Sequence, residues 1–314
     1  MAETVTGVEA EPRPSRATPG GMLRALRSEF TDRDRRLAYY LVSPAVIIIL
    51  LIAVFPILYA ILLSFQDVIP NQPTTWAGIQ NYIDLFVDPD FHKALVYTTI
   101  FTVVSVGIEV VVGMAIALAL NRVFPGRGVA RATTLAPWAL PPAVAAIMWR
   151  LMFQDQIGIM SYLARTLHVY SGTILGSENA LLVVAILVDA WKTTPFMALL
   201  LLAGMQVIPG DVYEAAKIDG ATTAQQFWRV TLPLVKPALL VALLFRTLDA
   251  WRVYDLFWVM GLRQLQSVSV FVYNGVRISQ LDFSLGNAAA VFVFLSSIAI
   301  AFFFFKVLGT RTTE

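Results

Sequence analysis

The chain has no cysteine, which excludes disulfides, thiolate catalysis and cysteine-ligated metals together. Histidine is nearly as scarce. His92 and His168 are the only two, they lie far apart without a metal-spaced companion, and both read as loop residues. Neither His-Glu-x-x-His nor Gly-x-Ser-x-Gly occurs. No Gly-x-x-x-x-Gly-Lys-Ser/Thr loop is present either, so nothing offers the backbone cradle and lysine that nucleotide phosphates require. Charge is sparse as well: 14% of residues are charged against 58% hydrophobic, with a mean hydropathy of +0.70. A water-soluble globule of that composition would lack the polar side chains to cover its surface, so the chain belongs in a bilayer. A net charge of +2 is too small, and too localised on one face, to point to nucleic acid.

What is abundant is long apolar stretches. A helical crossing takes about 20 largely apolar residues, and six segments qualify: Tyr39–Ser64, Ala94–Leu120, Ala132–Phe153, Ala180–Ala203, Leu234–Met260 and Gly286–Val307. The expected fold is therefore all-α, a polytopic membrane protein with six transmembrane helices and both ends on one side. Basic residues assign that side. Seven Arg of the N-terminal tail, then Arg122, Arg127 and Arg131, then Lys217, Arg229 and Lys236, then Lys306 and Arg311 fall in one set of segments. The other set holds Lys93, Arg150, Arg165, Arg263 and Arg277. Positive residues accumulate in cytoplasmic loops, so the tail, the loop after the second span, the loop around Glu214 and the C-terminus are cytoplasmic. Residues 1–37 are rich in Glu, Pro, Thr, Gly and Arg and read as a disordered cytoplasmic tail, with a membrane-surface amphipathic helix over Met22–Phe30 as an alternative. Residues 38–314 form the membrane domain.

A polar island interrupts the apolar text: Glu214-Ala215-Ala216, Asp219-Gly220-Ala221, then Val230-Thr231-Leu232-Pro233. Asp211, after Pro209-Gly210, is placed to cap a helix from Val212 to about Ile218, with Glu214 at its third position. Gly220 stands where a left-handed C-terminal turn is wanted, and Thr222 or Thr223, each with a Gln three residues on, can cap a second short helix. On these grounds alone a linking loop and a partner-binding element are both open.

Glu-Ala-Ala, three residues, Gly, nine residues, an aliphatic residue, any residue and Leu-Pro resembles the EAA signature of membrane subunits of binding-protein-dependent ABC importers. It is filled by Glu214, Ala215, Ala216, Gly220, Val230, Leu232 and Pro233, with Val230 in a usual Ile position. Further stretches resemble the carbohydrate-uptake branch: Phe55-Pro56, Ser64-Phe65, Asn81-Tyr82, Ala136-Pro137-Trp138 with Pro141-Pro142 and Trp149, Leu202 to Gln206 with Ile208-Pro209, and Gly286 to Ala290. One departure is the absence of Gly-Gly-Pro after the fifth span, where Met260-Gly261 runs into Leu262-Arg263-Gln264. The resemblance implies a type I importer permease fold and an ATPase-coupling segment over 211–229, with Glu214, Ala215, Ala216, Asp219, Gly220 and Ala221 in contact with the ATPase. It implies as partners a homologous second permease subunit, two copies of a cytoplasmic ATPase that bind ATP and Mg, and an extracytoplasmic sugar-binding protein. No cofactor, metal or catalytic residue is expected on this chain.

The fifth span carries Arg246, Asp249, Arg252 and Asp255, and each charge costs about 2.5 to 3.5 kcal/mol at a helix centre. Such a cost demands partners or water. Arg246 with Asp249 and Arg252 with Asp255 can pair as i,i+3 neighbours; alternatively the charges bind Asp189, Lys192 and Glu109 of other spans. With the interleaved aromatics they also suit a sugar, which combines hydroxyls with apolar ring faces. Asp249, Trp251, Arg252, Tyr254, Asp255 and Asn287 are the candidates for the substrate path. The implied function is the permease subunit of an ATP-driven sugar importer in a bacterial plasma membrane, for a di- or oligosaccharide such as trehalose or maltose. Two alternatives stand beside it: a polytopic membrane enzyme acting on a lipid-linked sugar through Asp249 or Asp255, and an importer of the same fold for a non-sugar solute.

Overall fold

The computed structural model describes residues 32–69, 72–170, 172–261, 264–278 and 283–309. The amphipathic alternative over Met22–Phe30, Arg263 and Arg311 lie outside them. The chain divides into two units, Met1–Tyr59 and Ala60–Glu314. In the first, helix α1 (Asp32–Ile49) passes through a π turn at Leu50–Val54 into α2 (Phe55–Ser64). Helix therefore starts at Asp32, inside the segment expected to be tail.

The second unit begins with the end of α2. A two-residue ladder then pairs β1 (Gln66–Asp67) antiparallel with β2 (Thr75–Trp76), a small departure from an all-α chain. Asn81, on α3 (Gln80–Val87), donates to the carbonyls of Ser64 (2.9 Å) and Gln66 (3.0 Å), and the Tyr82 hydroxyl lies 2.7 Å from Ser64 Oγ. The Ser64-Phe65 and Asn81-Tyr82 pairs are thus one structural clasp.

Helix α4 (Pro89–Asn121) begins earlier than hydropathy indicates, because Asp88 caps it by accepting from Phe91 N–H at 2.7 Å and Pro89 opens its first turn. His92 consequently lies in a helix and not in a loop; His168 does sit in a turn, at φ 53°. The segment expected to be the third span is bent in its middle. Helix α5 (Arg127–Ala139) and helix α6 (Pro142–Met152) meet at 87°, so Ala132–Phe153 is not one straight crossing. Pro141 and Pro142 force the preceding residues into extended conformation: Leu140 has ψ 134° and Pro141 ψ 137°. After α7 (Ile159–Thr166) comes α8 (Glu178–Gln206), a crossing with Pro195 inside it.

Helices α9 (Gly210–Ile218) and α10 (Thr223–Gln226) and a π turn at Phe227–Thr231 lead into α11 (Leu232–Trp251). The fifth span ends there, short of the expected Met260. Arg252 is the C-cap, and α12 (Asp255–Gly261) is a separate helix. The break leaves the Val253 carbonyl without a helical donor, and Ser267 Oγ donates to it at 2.6 Å, which is how irregular backbone is tolerated inside a membrane protein. Helices α13 (Val268–Tyr273) and α14 (Phe283–Gly309) complete the described chain.

Contacts fix the relative directions. Tyr97 meets Glu178, Glu109 meets Thr193 and Gly113 meets Met197, so α4 and α8 run parallel; Gly204 meets Ala238 while Asp189 meets Arg246, so α11 runs antiparallel to them. Lipid is as apolar as leucine, so close packing rather than hydrophobicity joins such helices. A Cβ on Gly113 would fall 2.8 Å from Met197 Cγ, and one on Gly204 would fall 2.4 Å from Ala238 Cβ. Met197, Leu201 and Val235 fill the space around these contacts, while Phe101 and Phe257 meet edge to face at 5.1 Å in a second cluster.

Candidate functional site

The polar island folds as two short helices with satisfied ends. Gly220, at φ +80°, is the left-handed residue that closes α9. Its N–H reaches the Lys217 carbonyl at 3.0 Å, and Ala221 N–H reaches the Ala216 carbonyl at 2.9 Å. These two bonds are the Schellman pattern, so the third residue of Glu-Ala-Ala is tied to the residue after Gly220. A capping box then starts α10: Gln225 N–H donates to Thr222 Oγ1 at 3.3 Å, and Thr222 N–H donates to Gln225 Oε1 at 2.7 Å. The expected cap by Asp211 does not form. Pro209 is the N-cap, without a side-chain bond, and Asp211 sits in the first turn where its charge favours the helix dipole. Glu214, Ala215, Asp219 and Gly220 are exposed, Ala216 and Ala221 partly so. Ile218 and Trp228 expose 86% and 66% of their surface, more than any other large apolar residue of the 211–229 segment. Tyr213 Oη lies 3.1 Å from Thr231 Oγ1, which fastens α9 to the foot of α11.

The second constellation lies within the helix bundle. Arg246 on α11 is 2% exposed and faces carboxylates from three helices. Its Nε and Nη2 donate to Glu109 at 2.5 and 2.7 Å, its Nη2 also reaches Asp189 at 2.9 Å, and its Nη1 binds Asp249. Glu109 is fully buried, and Thr193 Oγ1 lies 2.7 Å from its Oε1. One cation is thus shared by three acids. Exposure separates those acids: the side chain of Asp189 is 13% accessible and that of Asp249 72%.

Asp189 and Asp249 line a cavity of about 150 Å³ together with Lys192, Arg252, Tyr254 and Asp255. Four expected substrate-path residues are therefore gathered in one place, from the end of α11, the break after it and the start of α12. Arg252 and Asp255 form no ion pair with each other; Arg252 Nε donates to the Leu248 carbonyl at 3.1 Å. The helix break, which the apolar run conceals, turns Asp255 away from the pairing expected within one helix. Trp251 and Asn287 are placed elsewhere. Trp251 Nε1 donates to Ser296 Oγ of α14 at 2.8 Å, and Asn287, 5% exposed, donates to the Phe283 carbonyl at 2.8 Å. Neither is in the wall of this cavity. Pro142 and Thr193, also in the wall, carry no charge or spacing that would have marked them.

Membrane helices that surround a charged cavity, with an exposed capped two-helix segment between two spans, form the architecture of a transport subunit. The comparisons with known proteins agree. Residues 109–314 match the family described as binding-protein-dependent transport system inner membrane component. Over 291 residues the chain is 36% identical to the trehalose/maltose transport system permease protein of Thermococcus litoralis, covering 90% of this chain and 97% of that protein. It is 38% identical over 281 residues to the trehalose transport system permease protein of Mycobacterium tuberculosis, with 88% and 90% covered. In fold it resembles a bacterial ABC transporter involved in import of the acidic polysaccharide alginate, at TM-score 0.75 and 20% identity, over 93% of this chain and 99% of that one. The chain belongs to the permease family of binding-protein-dependent ABC importers. It is a multi-pass membrane protein and a transport component, not a catalytic subunit, and the membrane-enzyme alternative is set aside.

Proposed function

We propose that this chain is one half of the translocation pathway of a sugar importer, for a di- or oligosaccharide of the trehalose or maltose kind. The observation that carries the reading is the cavity at the end of α11, where carboxylates and cations stand beside Tyr254 and the aromatic pair of Trp258 and Tyr273. Hydroxyl-rich ligands use such mixtures of acceptors, donors and ring faces. The lining holds the acids Asp189, Asp249 and Asp255 against the bases Lys192 and Arg252, which suits a neutral sugar better than glycerol phosphate. Relatives named for trehalose and for trehalose/maltose transport support the same class.

At about 150 Å³ the cavity is smaller than the roughly 300 to 1,000 Å³ of ordinary ligand pockets. A homologous second permease supplies the rest of the wall. Sugar arrives on an extracytoplasmic binding protein, and two copies of a cytoplasmic ATPase, holding ATP and Mg, grip the 211–229 segment through Glu214, the small Ala215 and Ala216, and the exposed Ile218. Both termini lie in the cytoplasm of a bacterial cell.

The test is reconstitution of the four-component importer in liposomes with its own binding protein and labelled trehalose, maltose and glycerol phosphate. Accumulation of a disaccharide that needs ATP and the binding protein is the expected result. Uptake of glycerol phosphate alone, or of none of the three by a complex whose ATPase responds to the loaded binding protein, rejects the substrate class.

A further inference from the structure

Arg127 and Arg131 stand one turn apart at the start of α5 and are partly buried, yet Nε of Arg127 and both Nε and Nη2 of Arg131 are buried without any hydrogen-bond partner. Buried donors are nearly always bonded, and an orphaned guanidinium is the costliest to leave so. No ion pair reaches either residue among the described residues. The sequence supplies none nearby, since no Asp or Glu occurs between Glu109 and Asp155.

The helix end compounds the excess of positive charge. Gly126 at φ 81° is the N-cap and offers no side-chain acceptor, and the first turn holds no acidic residue. Two cations therefore sit at the positive end of a helix dipole, the reverse of the favourable arrangement. An anion at this point would relieve all three deficits.

Its location narrows the anion. Ala130, between the two arginines in sequence, packs on the Met114, Leu120 and Met205 cluster, so the face of α5 that it shares with Arg127 and Arg131 lies against α4 and α8. Val129, on the adjoining face, is 68% exposed. The distribution of basic residues puts this groove at the cytoplasmic membrane boundary. Basic pockets between membrane helices on that side take lipid headgroups, and guanidinium matches phosphate bidentately.

We propose that Arg127 and Arg131 form a binding site for the headgroup phosphate of an anionic phospholipid in the cytoplasmic leaflet. The lipid anchors the start of α5 against α4 and α8, close to where α8 leaves the membrane toward α9. This site is separate from the sugar cavity.

The assembled importer, purified in mild detergent, is examined by native mass spectrometry for retained phosphatidylglycerol and by thermal melting with added lipid. Wild type is expected to retain the lipid and to melt higher with phosphatidylglycerol but not with phosphatidylcholine. The Arg127→Gln/Arg131→Gln double variant should bind about thirtyfold more weakly. Arg122→Gln, which removes an exposed charge nearby, should match wild type, because bulk charge is not the cause. Arg127→Lys/Arg131→Lys keeps the charge and the assembly while losing the planar fork, and should retain less lipid than wild type. Wild-type retention by the Gln double variant overturns the proposal, as does an equal upward shift from inorganic phosphate at the lipid's concentration, which would assign the groove to a free anion. Assembly lost in the Gln pair with lipid retention intact in the Lys pair gives the arginines to a protein partner and also overturns it.

Discussion

Removing the guanidinium of Arg246 separates the structural from the ligand-contacting members of its cluster. Arg246→Met leaves Glu109, fully buried, and Asp189, 13% accessible, without their shared cation. Breaking a buried pair by removing one partner costs about 3 to 5 kcal/mol, so complex yield and melting temperature should fall sharply. Replacing both central partners, Arg246→Met with Glu109→Leu, removes the stranded charge together with its host, and much of the loss should return as a coupling energy of about 2 kcal/mol or more. Asp249 is the opposite case. Its side chain is 72% accessible, so its bond to Arg246 is solvent-screened and contributes about 1 kcal/mol or less. Asp249→Asn should preserve yield and basal ATP hydrolysis while lowering uptake of labelled sugar. The assays are complex yield, detergent-solubilised melting and uptake per assembled complex. A wild-type melting point for Arg246→Met, or failed assembly for Asp249→Asn, would refute the reasoning, because burial would then not decide which charge is structural.

Other substitutions probe the remaining parts. Gly220→Val should uncouple ATP hydrolysis from the loaded binding protein, since left-handed φ costs an L-residue about 1 to 2 kcal/mol and a β-branched one more; Gly220→Asn should stay near wild type, because an added Cβ meets nothing within 4 Å. A wild-type ATPase response from the Val variant would remove Gly220 from the coupling element. Gly204→Ala should destabilise by about 1 to 3 kcal/mol, as its Cβ would lie 2.4 Å from that of Ala238, and Ala238→Gly in the same chain should restore melting. Deletion of residues 1–31, which keeps Arg33, Arg35 and Arg36 as topology signals, should leave uptake largely intact; lost uptake at normal membrane level would show that the tail has a transport role.

Apolar length was readable because it reflects the bilayer, which acts on composition alone. Breaks were harder. Hydropathy carries the fifth span through Trp251 to Met260, yet the chain breaks after Trp251, and the Ser267 hydroxyl that satisfies Val253 comes from a distant segment that no local pattern connects to it. The 87° bend at Pro141-Pro142 had a visible signal in the two prolines, but its size depends on packing. In the candidate site the charged residues announced themselves by their cost in a membrane, and i,i+3 spacing foresaw Arg246 with Asp249. Spacing could not rank Glu109 and Asp189 as the more buried partners, since they arrive from α4 and α8. Asp211 shows the limit of cap rules: Pro209 already supplies the extended residue before the helix, so the acid enters the first turn instead.

The two constellations share their helices. Helix α8 carries Asp189 and continues about 25 Å, at 1.5 Å per residue, to Gln206 and the entry of α9. Helix α11 carries Arg246 and Asp249 and starts from the π turn that follows α10. Between cavity and segment the two helices touch at Gly204 and Ala238 with no room for even a methyl group, and at the cavity Arg246 bonds Asp189 across the same interface. An element fastened at both ends moves as a unit more readily than it slides, because the alternatives open a void or strand a buried charge. Displacement of α9 by an ATPase is therefore expected to reach the cavity as joint motion of α8 and α11, with the break at Arg252 to Tyr254 taking up the difference against α12. Cross-linking α8 to α11 near Gly204 should then leave transport intact, whereas cross-linking α11 to α12 across the break should stop it.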